Sequence, residues 1–543
     1  MISKLSQFKV VHVLIAYSLG LSQAFAQPIQ TDGQILRSLP KPPPPLEREL
    51  EFKIEADKLN DITSGGEEVL IYKVKISGNT IFSEHELVEQ LGDVVGRWFD
   101  FSKIQAMANH LSNYYRDRGY SFAKVYIPKQ SVSDRVLEFV VLEGKFGEIR
   151  SVGDEKYQAF IKKRLSTLKS GDVINGPELE RIFLKLGDVP GMRVIPVLRP
   201  GKLIGSGDLD VRVVEDEPEA NYVAVDNEGS RLSGMNRVSA GIFVPSVFGL
   251  PGHQLRLSAT TTNKDLEVYG IGYGWQLFNT NARIRFDYTD VTYDLRDSTD
   301  QRFNGETKIY RATIINNLFR SQLRNLVLQY GYQERDAFSS VADTPVSDGV
   351  FRTFPISLGF YLSDSFLSGG SFSGNFTYVR GRVQDSLNTN TELKTRWSKY
   401  ALDLTRSQKL GSKLNATFLF LGQTAEDPIM DSSEQMSLGG SRGVRAYPSG
   451  EGSFTRAYVS QIELQYKLGF TQPYIFMDHG KGSALRESEP NDREIGGYGF
   501  GLRAERAGWS FDAYIAHKRG SGISTSDVKF DDPVFQLSLR KRF

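Results

Sequence analysis

The spacing of apolar residues changes character along the chain. Between residues 67 and 217 short runs with a helical period alternate with short runs of period two; from residue 218 onward only the period of two persists. Ile284, Phe286 and Tyr288 alternate with Arg283, Arg285 and Asp287, and Ile462, Leu464, Tyr466 and Leu468 alternate with Glu463, Gln465 and Lys467. Leu255 and Leu257 alternate in the same way with Arg256 and Ser258. Apolar residues on one face and charged ones on the other, in segments about ten long, predict a transmembrane antiparallel β-barrel with a wet interior. A soluble sandwich shares the period, but its strands are usually shorter and its apolar face lies between two sheets. The final segment favours the barrel. Phe535, Leu537, Leu539 and Phe543 share one face, and the last residue is aromatic, as in the terminal strands of bacterial outer-membrane barrels. At about 20 residues per strand and connection, residues 218–543 accommodate about 16 strands.

The segment before the barrel reads as two small α+β modules. In residues 67–145, an alternating strand over 72–76 meets a Gly78-Asn79 turn. Ser83 with Glu86, and Ser102 with Gln105, have capping-box spacing and predict two helix starts. The second helix carries Ile104, Met107, Ala108, Leu111 and Tyr115 on one face, ends at Gly119, and is followed by strands over 122–127 and 136–142. Residues 146–217 repeat the order: a strand over 146–152, a helix over about 157–168, a second helix opened near Pro177, then strands over 192–198 and 209–214.

The N-terminus carries an address. Lys4 and Lys9 precede an apolar run over 10–21 and then Ala24-Phe25-Ala26, which predicts a signal peptide over residues 1–26. The run is too short to span a bilayer comfortably. Residues 27–66 are polar and contain Lys41-Pro42-Pro43-Pro44-Pro45, a semi-rigid spacer. Asp32 to Leu39 ahead of it can form a short helix with Ile35, Leu36 and Leu39 on one side. The segment is therefore either a plug helix on a linker or a plain leader.

Composition narrows the chemistry. Lys+Arg number 66 against 65 Asp+Glu, a balance that argues against a nucleic-acid partner. The absence of Cys removes disulfide scaffolds, thiolate metal sites and cysteine nucleophiles. A mean hydropathy of −0.33 argues against a helical membrane protein. The 51 Gly, 34 Phe and 24 Tyr suit turns and aromatic-decorated strands. His85, His110, His253, His479 and His517 are scattered without metal-ligand spacing, so no metal or other cofactor is expected. Gly270 to Gly274 and Gly497 to Gly501 alternate Gly with larger residues, yet neither opens a helix or precedes Lys and Ser/Thr, so both read as barrel strand. No serine sits in a G-x-S-x-G elbow, and no catalytic residue is expected.

Five stretches carry a specific resemblance. They are Gly119-Tyr120-Ser121-Phe122-Ala123-Lys124-Val125-Tyr126-Ile127-Pro128 in the first module and Asp188-Val189-Pro190-Gly191-Met192-Arg193-Val194 in the second. Gly249-Leu250-Pro251-Gly252-His253-Gln254-Leu255 follows early in the barrel, then Gly443-Val444-Arg445-Ala446-Tyr447-Pro448 in a long loop around 425–455, then Phe476-Met477-Asp478-His479-Gly480. With the module order, they make the chain similar to the outer-membrane transporters of two-partner secretion (TpsB type, the hemolysin secretion/activation family of the BamA-like superfamily). The modules then look like POTRA domains. The loop stretch matches the family's V-R-G-[YF] signature, with Ala446 where Gly is commonest, and the strand stretch matches F-x-D-x-G.

The resemblance implies a protein of the Gram-negative outer membrane, with its modules over 67–145 and 146–217 in the periplasm and its barrel over 218–543. It implies transport of one large, unfolded, TpsA-like exoprotein, bound through the modules and passed through the barrel without nucleotide hydrolysis. It assigns a lumenal loop motif to Gly443, Val444, Arg445 and Tyr447, and a barrel-wall motif to Phe476, Asp478 and Gly480. It makes Phe543 an assembly signal for the barrel-assembly machinery, in contact with outer-membrane lipid. A barrel-assembly insertase would usually carry more modules, and a passive porin would need none.

The residues support such a site on physical grounds. Alternation places Tyr474, Phe476 and Asp478 on one face, and the charged face is the lumen. Arg445 offers a planar fork of donors that a carboxylate accepts in parallel, a directional anchor for a loop in a polar lumen. The alternative is that Arg445 is one lumenal arginine among many.

Overall fold

The computed structural model describes residues 53–54, 68–131, 134–215, 221–277, 280, 282–296, 301–385, 396–426, 431–484, 491–520, 522–527 and 529–543. The signal-like residues 1–26, the 32–39 stretch and the proline spacer lie outside the described residues.

Ahead of the first module lies β1 (Lys53–Ile54). The module contains β2 (Val69–Ile71), β3 (Lys73–Ser77), α1 (Glu84–Gln90), β4 (Arg97–Phe99), α2 (Phe101–Asp117), β5 (Lys124–Tyr126) and β6 (Val136–Leu142). Its sheet runs β3-β6-β5, with β3 parallel and β5 antiparallel to β6, while β2 and β4 pair separately. Ser83 caps α1 as its spacing predicts, accepting from the Glu86 N–H. The second cap differs from expectation: Ser102 lies inside α2, and Asp100 accepts from the Lys103 N–H at 2.8 Å. A carboxylate there also complements the helix dipole, so Asp outcompetes the Ser two residues later. The α2 face closes over the sheet with Leu111, Tyr115 and Phe139 fully buried, each contributing about 1.5–3 kcal/mol of transfer free energy.

The second module contains β7 (Lys145–Gly153), α3 (Glu155–Leu165), α4 (Gly176–Gly187), β8 (Met192–Pro200) and β9 (Ser206–Glu215). Its sheet order is β1-β8-β9-β7, so residues 53–54 add a fourth, parallel strand that the repeat pattern does not announce. Tyr157, Ile161, Phe183 and Leu209 fill the core. The modules meet at a glycine: the Gly176 N–H donates to the Gly119 carbonyl, and a Cβ at Gly119 (φ +92°) would stand 2.7 Å from the Pro177 ring.

Among the described residues, sixteen antiparallel strands close into a barrel. They are β10 (Tyr222–Asp226), β11 (Arg237–Pro245), β12 (Gln254–Thr262), β13 (Leu266–Gln276), β14 (Ala282–Arg296), β15 (Arg302–Arg320), β16 (Arg324–Val341) and β17 (Thr344–Asp364). After them come β18 (Gly370–Asp385), β19 (Arg396–Lys409), β20 (Leu414–Ala425), β21 (Arg456–Tyr466), β22 (Thr471–Ala484), β23 (Asn491–Arg506), β24 (Trp509–Arg519) and β25 (Val534–Arg542). Ile271, Phe286, Phe354, Phe376, Ile462 and Phe500 face outward and exposed, the belt a bilayer covers.

β17 spans 21 residues, twice the length the pattern suggests. Crossing the hydrocarbon takes about ten residues, and only that part must alternate cleanly. Residues beyond it, such as Thr344 to Asp348, still pair with 338–341, through a β-bulge and without an apolar stripe. Closure between first and last strand is short by comparison, with Tyr222–Asp226 paired to 538–542. The Phe543 N–H extends it by donating to the Asn221 carbonyl at 3.1 Å.

One rim faces the second module and carries short connections such as 321–323 and 507–508; the far rim carries 426–455 and 520–533. At the module-side rim two of the motif stretches meet. Arg320 grips Asp188 with Nε and Nη2 at 3.1 and 2.9 Å. The Tyr157 hydroxyl donates to the Gly191 carbonyl at 2.7 Å and lies 3.1 Å from the Ser246 hydroxyl. A Cβ at Gly252 would contact Val189.

Candidate functional site

The connection between β20 and β21 does not extend away from the barrel. It folds back on itself, with Met436 and Phe454 exchanging backbone hydrogen bonds and the Val444 N–H donating to the Leu438 carbonyl at 2.7 Å. Leu438, Val444, Ala446, Tyr447 and Phe454 are buried against Val459, Phe476, Tyr514 and Ala516 of the wall. The wall makes room with glycine: a Cβ at Gly480 would crowd Val444, and one at Gly497 would come 2.9 Å from the Ala446 methyl. Ala446 lies outside the left-handed region, so Ala in place of the commoner Gly strains nothing.

Arg445 sits at the tip of this fold and is 3% exposed. Its Nε and Nη2 donate to the two Asp478 oxygens at 2.9 and 2.7 Å, the parallel fork that the residue types allow. Its backbone N–H donates to Asp478 Oδ2 at 3.0 Å, so the carboxylate holds the loop's main chain as well as its side chain. The guanidinium lies 3.6 Å from the centre of the Phe476 ring, and its remaining Nη1 donates to Glu463 Oε1 at 2.5 Å.

Glu463 widens the pair into a chain of charges. Arg503 donates to it at 2.7 and 3.0 Å and to Asp512 at 2.9 Å; the Tyr474 hydroxyl completes the chain on Asp512 at 2.7 Å. Two cations thus face three carboxylates. Gln461 adds a neutral clamp, donating to the Gly443 and Ser441 carbonyls.

Of the residues singled out in the sequence, Gly443, Val444, Arg445 and Tyr447 come together with Phe476, Asp478 and Gly480 at this one place. Phe543 lies at the module-side rim, exposed beyond β25. Tyr474, Phe476 and Asp478 point into the lumen, and Ile475 and Met477 point out, exposed. Glu463, Arg503 and Asp512 belong to the site without lying in any of the sequence motifs. A signal for Glu463 existed, because the alternation with Ile462 and Leu464 puts it on the lumenal face; its contact with Arg445 depends on a fold-back that no periodicity encodes.

A closed sixteen-stranded barrel with an apolar outer belt, preceded by two α+β modules and holding a charged loop inside, defines a transmembrane β-barrel protein. The profile described as "Haemolysin secretion/activation protein ShlB/FhaC/HecB" matches residues 205–504, more than half of the chain, and "POTRA domain, ShlB-type" matches residues 69–144. The chain belongs to this haemolysin secretion/activation family of two-partner secretion transporters. It is 25% identical over 481 residues to the heme/hemopexin transporter protein HuxB of Haemophilus influenzae, covering 84% of each chain. It is 20% identical over 409 residues to the outer membrane transporter CdiB of Dickeya dadantii, covering 73% of this chain and 72% of that protein. Its fold matches CdiB from Escherichia coli with a TM-score of 0.71 at 17% identity, over 90% of this chain and 93% of that one.

Proposed function

We propose that this chain recognises one large exoprotein, unfolded in the periplasm, and passes it through its barrel to the cell surface without nucleotide hydrolysis. In this reading residues 1–26 are the export signal and 27–66 a plug segment with its proline-rich linker, of which residues 53–54 join the second module's sheet. Residues 67–145 and 146–217 are the periplasmic receptor modules, and the far rim of 218–543 opens outside the cell. The observation that carries the reading is the loop tied into the lumen by Arg445, Asp478 and Glu463 in a barrel whose other mouth bears two modules. The loop is held by apolar packing and by these charge pairs together, and once it is displaced water or a passing chain can hydrogen-bond the groups it leaves. The first module leaves sheet edges at β3 and β5, and an extended chain pairs with such edges through its main chain, which suits an unfolded partner. Phe543 would serve assembly rather than transport.

The test is deletion of the gene in the native bacterium, with mass spectrometry of the culture medium and of the outer membrane. One large protein should leave the medium and return when the gene is restored, with other outer-membrane barrels unchanged. A fall in many barrel proteins would mark an insertase, and an unaltered medium with reduced small-solute uptake a porin; either contradicts the reading.

A further inference from the structure

The lumenal loop has a second anchor, six residues past Arg445 and of different chemistry. The Glu451 side chain is fully buried and lies among groups from the loop between β24 and β25. Its Oε1 accepts from the Thr525 N–H at 2.9 Å and the Thr525 hydroxyl at 3.0 Å. Its Oε2 accepts from the Ser526 N–H at 3.2 Å and from the Ser524 and Ser526 hydroxyls, both at 2.7 Å. Arg493, reaching in from β23, also donates to Oε1 and ties itself to the Ile523 carbonyl at 2.7 Å. The same loop reaches the other way. Asp527 accepts from Arg231 at 2.8 Å, in the turn between β10 and β11, across the seam where the first and last strands meet.

We propose that Glu451 is a positioning residue that clasps the lumenal loop to the far-rim loop 522–527, separately from the Arg445 anchor, and keeps the pore shut from that side. This rests on the reading that the loop obstructs a transport pore. The two oxygens each receive a backbone N–H, so the cradle is built for a carboxylate. An amide at 451 would turn its NH2 toward one of those N–H donors in either orientation. A site built for donors to meet acceptors is weakened most by that change, since a buried donor then loses its partner. The clasp lies above the wall anchor, so its release frees the loop's outer half and leaves the Arg445 fork closed.

The experiment is planar-bilayer recording of the purified full chain, with folded barrel verified by heat-modifiable gel mobility. It needs no secreted partner, so its failure is separate from failure of the transport reading. Glu451→Gln should raise the frequency of channel opening at least ~5-fold and make the 436–455 segment newly sensitive to added protease. Ser524→Ala with Ser526→Ala, which removes two hydroxyl donors and spares the backbone N–H groups, should give an intermediate increase, and it carries the test alone if Glu451→Gln does not fold. A purely structural role predicts less folded barrel with unchanged opening per folded channel. That result, or wild-type opening and protease resistance in both variants, overturns the proposal.

Discussion

At Glu143 in the first module, donors converge on a carboxylate that is 3% exposed. The N–H groups of Thr80 and Ile81 donate at 2.6 and 2.8 Å and the Tyr115 hydroxyl at 3.1 Å, with the Thr80 hydroxyl as a further donor. Burial by itself pushes the carboxyl upward, but these hydrogen bonds together outweigh it and hold it below the usual carboxylate range. A depressed folded value stabilises the module above the unfolded pKa of about 4.3 and loses that stabilisation as pH falls through the folded value. Glu143→Gln should cost about 1–3 kcal/mol at pH 7. Urea unfolding of residues 67–145 should show the gap between wild type and variant closing below about pH 4; a constant gap would contradict the assignment. A second residue-scale test concerns Gly497, whose missing Cβ accommodates the Ala446 methyl. Gly497→Ala should displace the loop tip and lower secretion, and Ala446→Gly in the same chain should restore it. Asp478 and its lumenal direction were legible from alternation alone. Glu451 was not, because its cradle is contributed by a loop about 75 residues away whose Ser-Thr-Ser sequence looks like any polar turn.

Elements are joined here by residues that no element needs for itself. Asp188 is the C-cap residue of α4, and its side chain is taken up from outside the helix: Arg320 at the end of β15 grips both of its oxygens, and the Gln322 N–H donates to Glu180 of α4 at 2.8 Å. The Asp188 to Val194 stretch was visible as a motif, while its partner was not, since Arg320 is one arginine among many at strand ends. Partly exposed, the pair is worth about 1 kcal/mol. Asp188→Ala should therefore leave the barrel folded while limited proteolysis of the full chain between second module and barrel quickens; unchanged cleavage would show that the rim contact holds without it. Helices and barrel strands were legible as elements because each must bury or expose a stripe. Cap choice and strand length were not: Asp100 and Ser102 are both good cap residues, the dipole that favours the carboxylate leaves no mark on the period, and strand outside the bilayer obeys no stripe. The added strand β1 escaped for the same reason, since two residues carry no period.

Over the whole molecule, the modules lie at one mouth and the anchored loop packs against the inner wall toward the other, so on the transport reading a passing chain disturbs the loop. We propose that Arg445 holds the loop in a transport-competent place, and the charge chain makes a test of that role unusually specific. Wild type sets two cations against Asp478, Glu463 and Asp512. Arg445→Ala leaves Arg503 alone among three carboxylates; breaking a buried pair typically costs ~3–5 kcal/mol, less where water enters. Asp478→Ala is milder, because Arg445 keeps Glu463. Removing both restores the original imbalance of one negative charge. Arg445→Lys should rescue poorly, since an ammonium cannot reproduce the fork. The decisive measurement is a double-mutant cycle on the amount of partner released into the medium, with barrel insertion checked in every variant. Severe loss is expected for Arg445→Ala, a smaller loss for Asp478→Ala, and secretion by the double variant at least as good as that of Arg445→Ala. Normal secretion by Arg445→Ala, or losses that simply multiply in the double variant, would contradict that role.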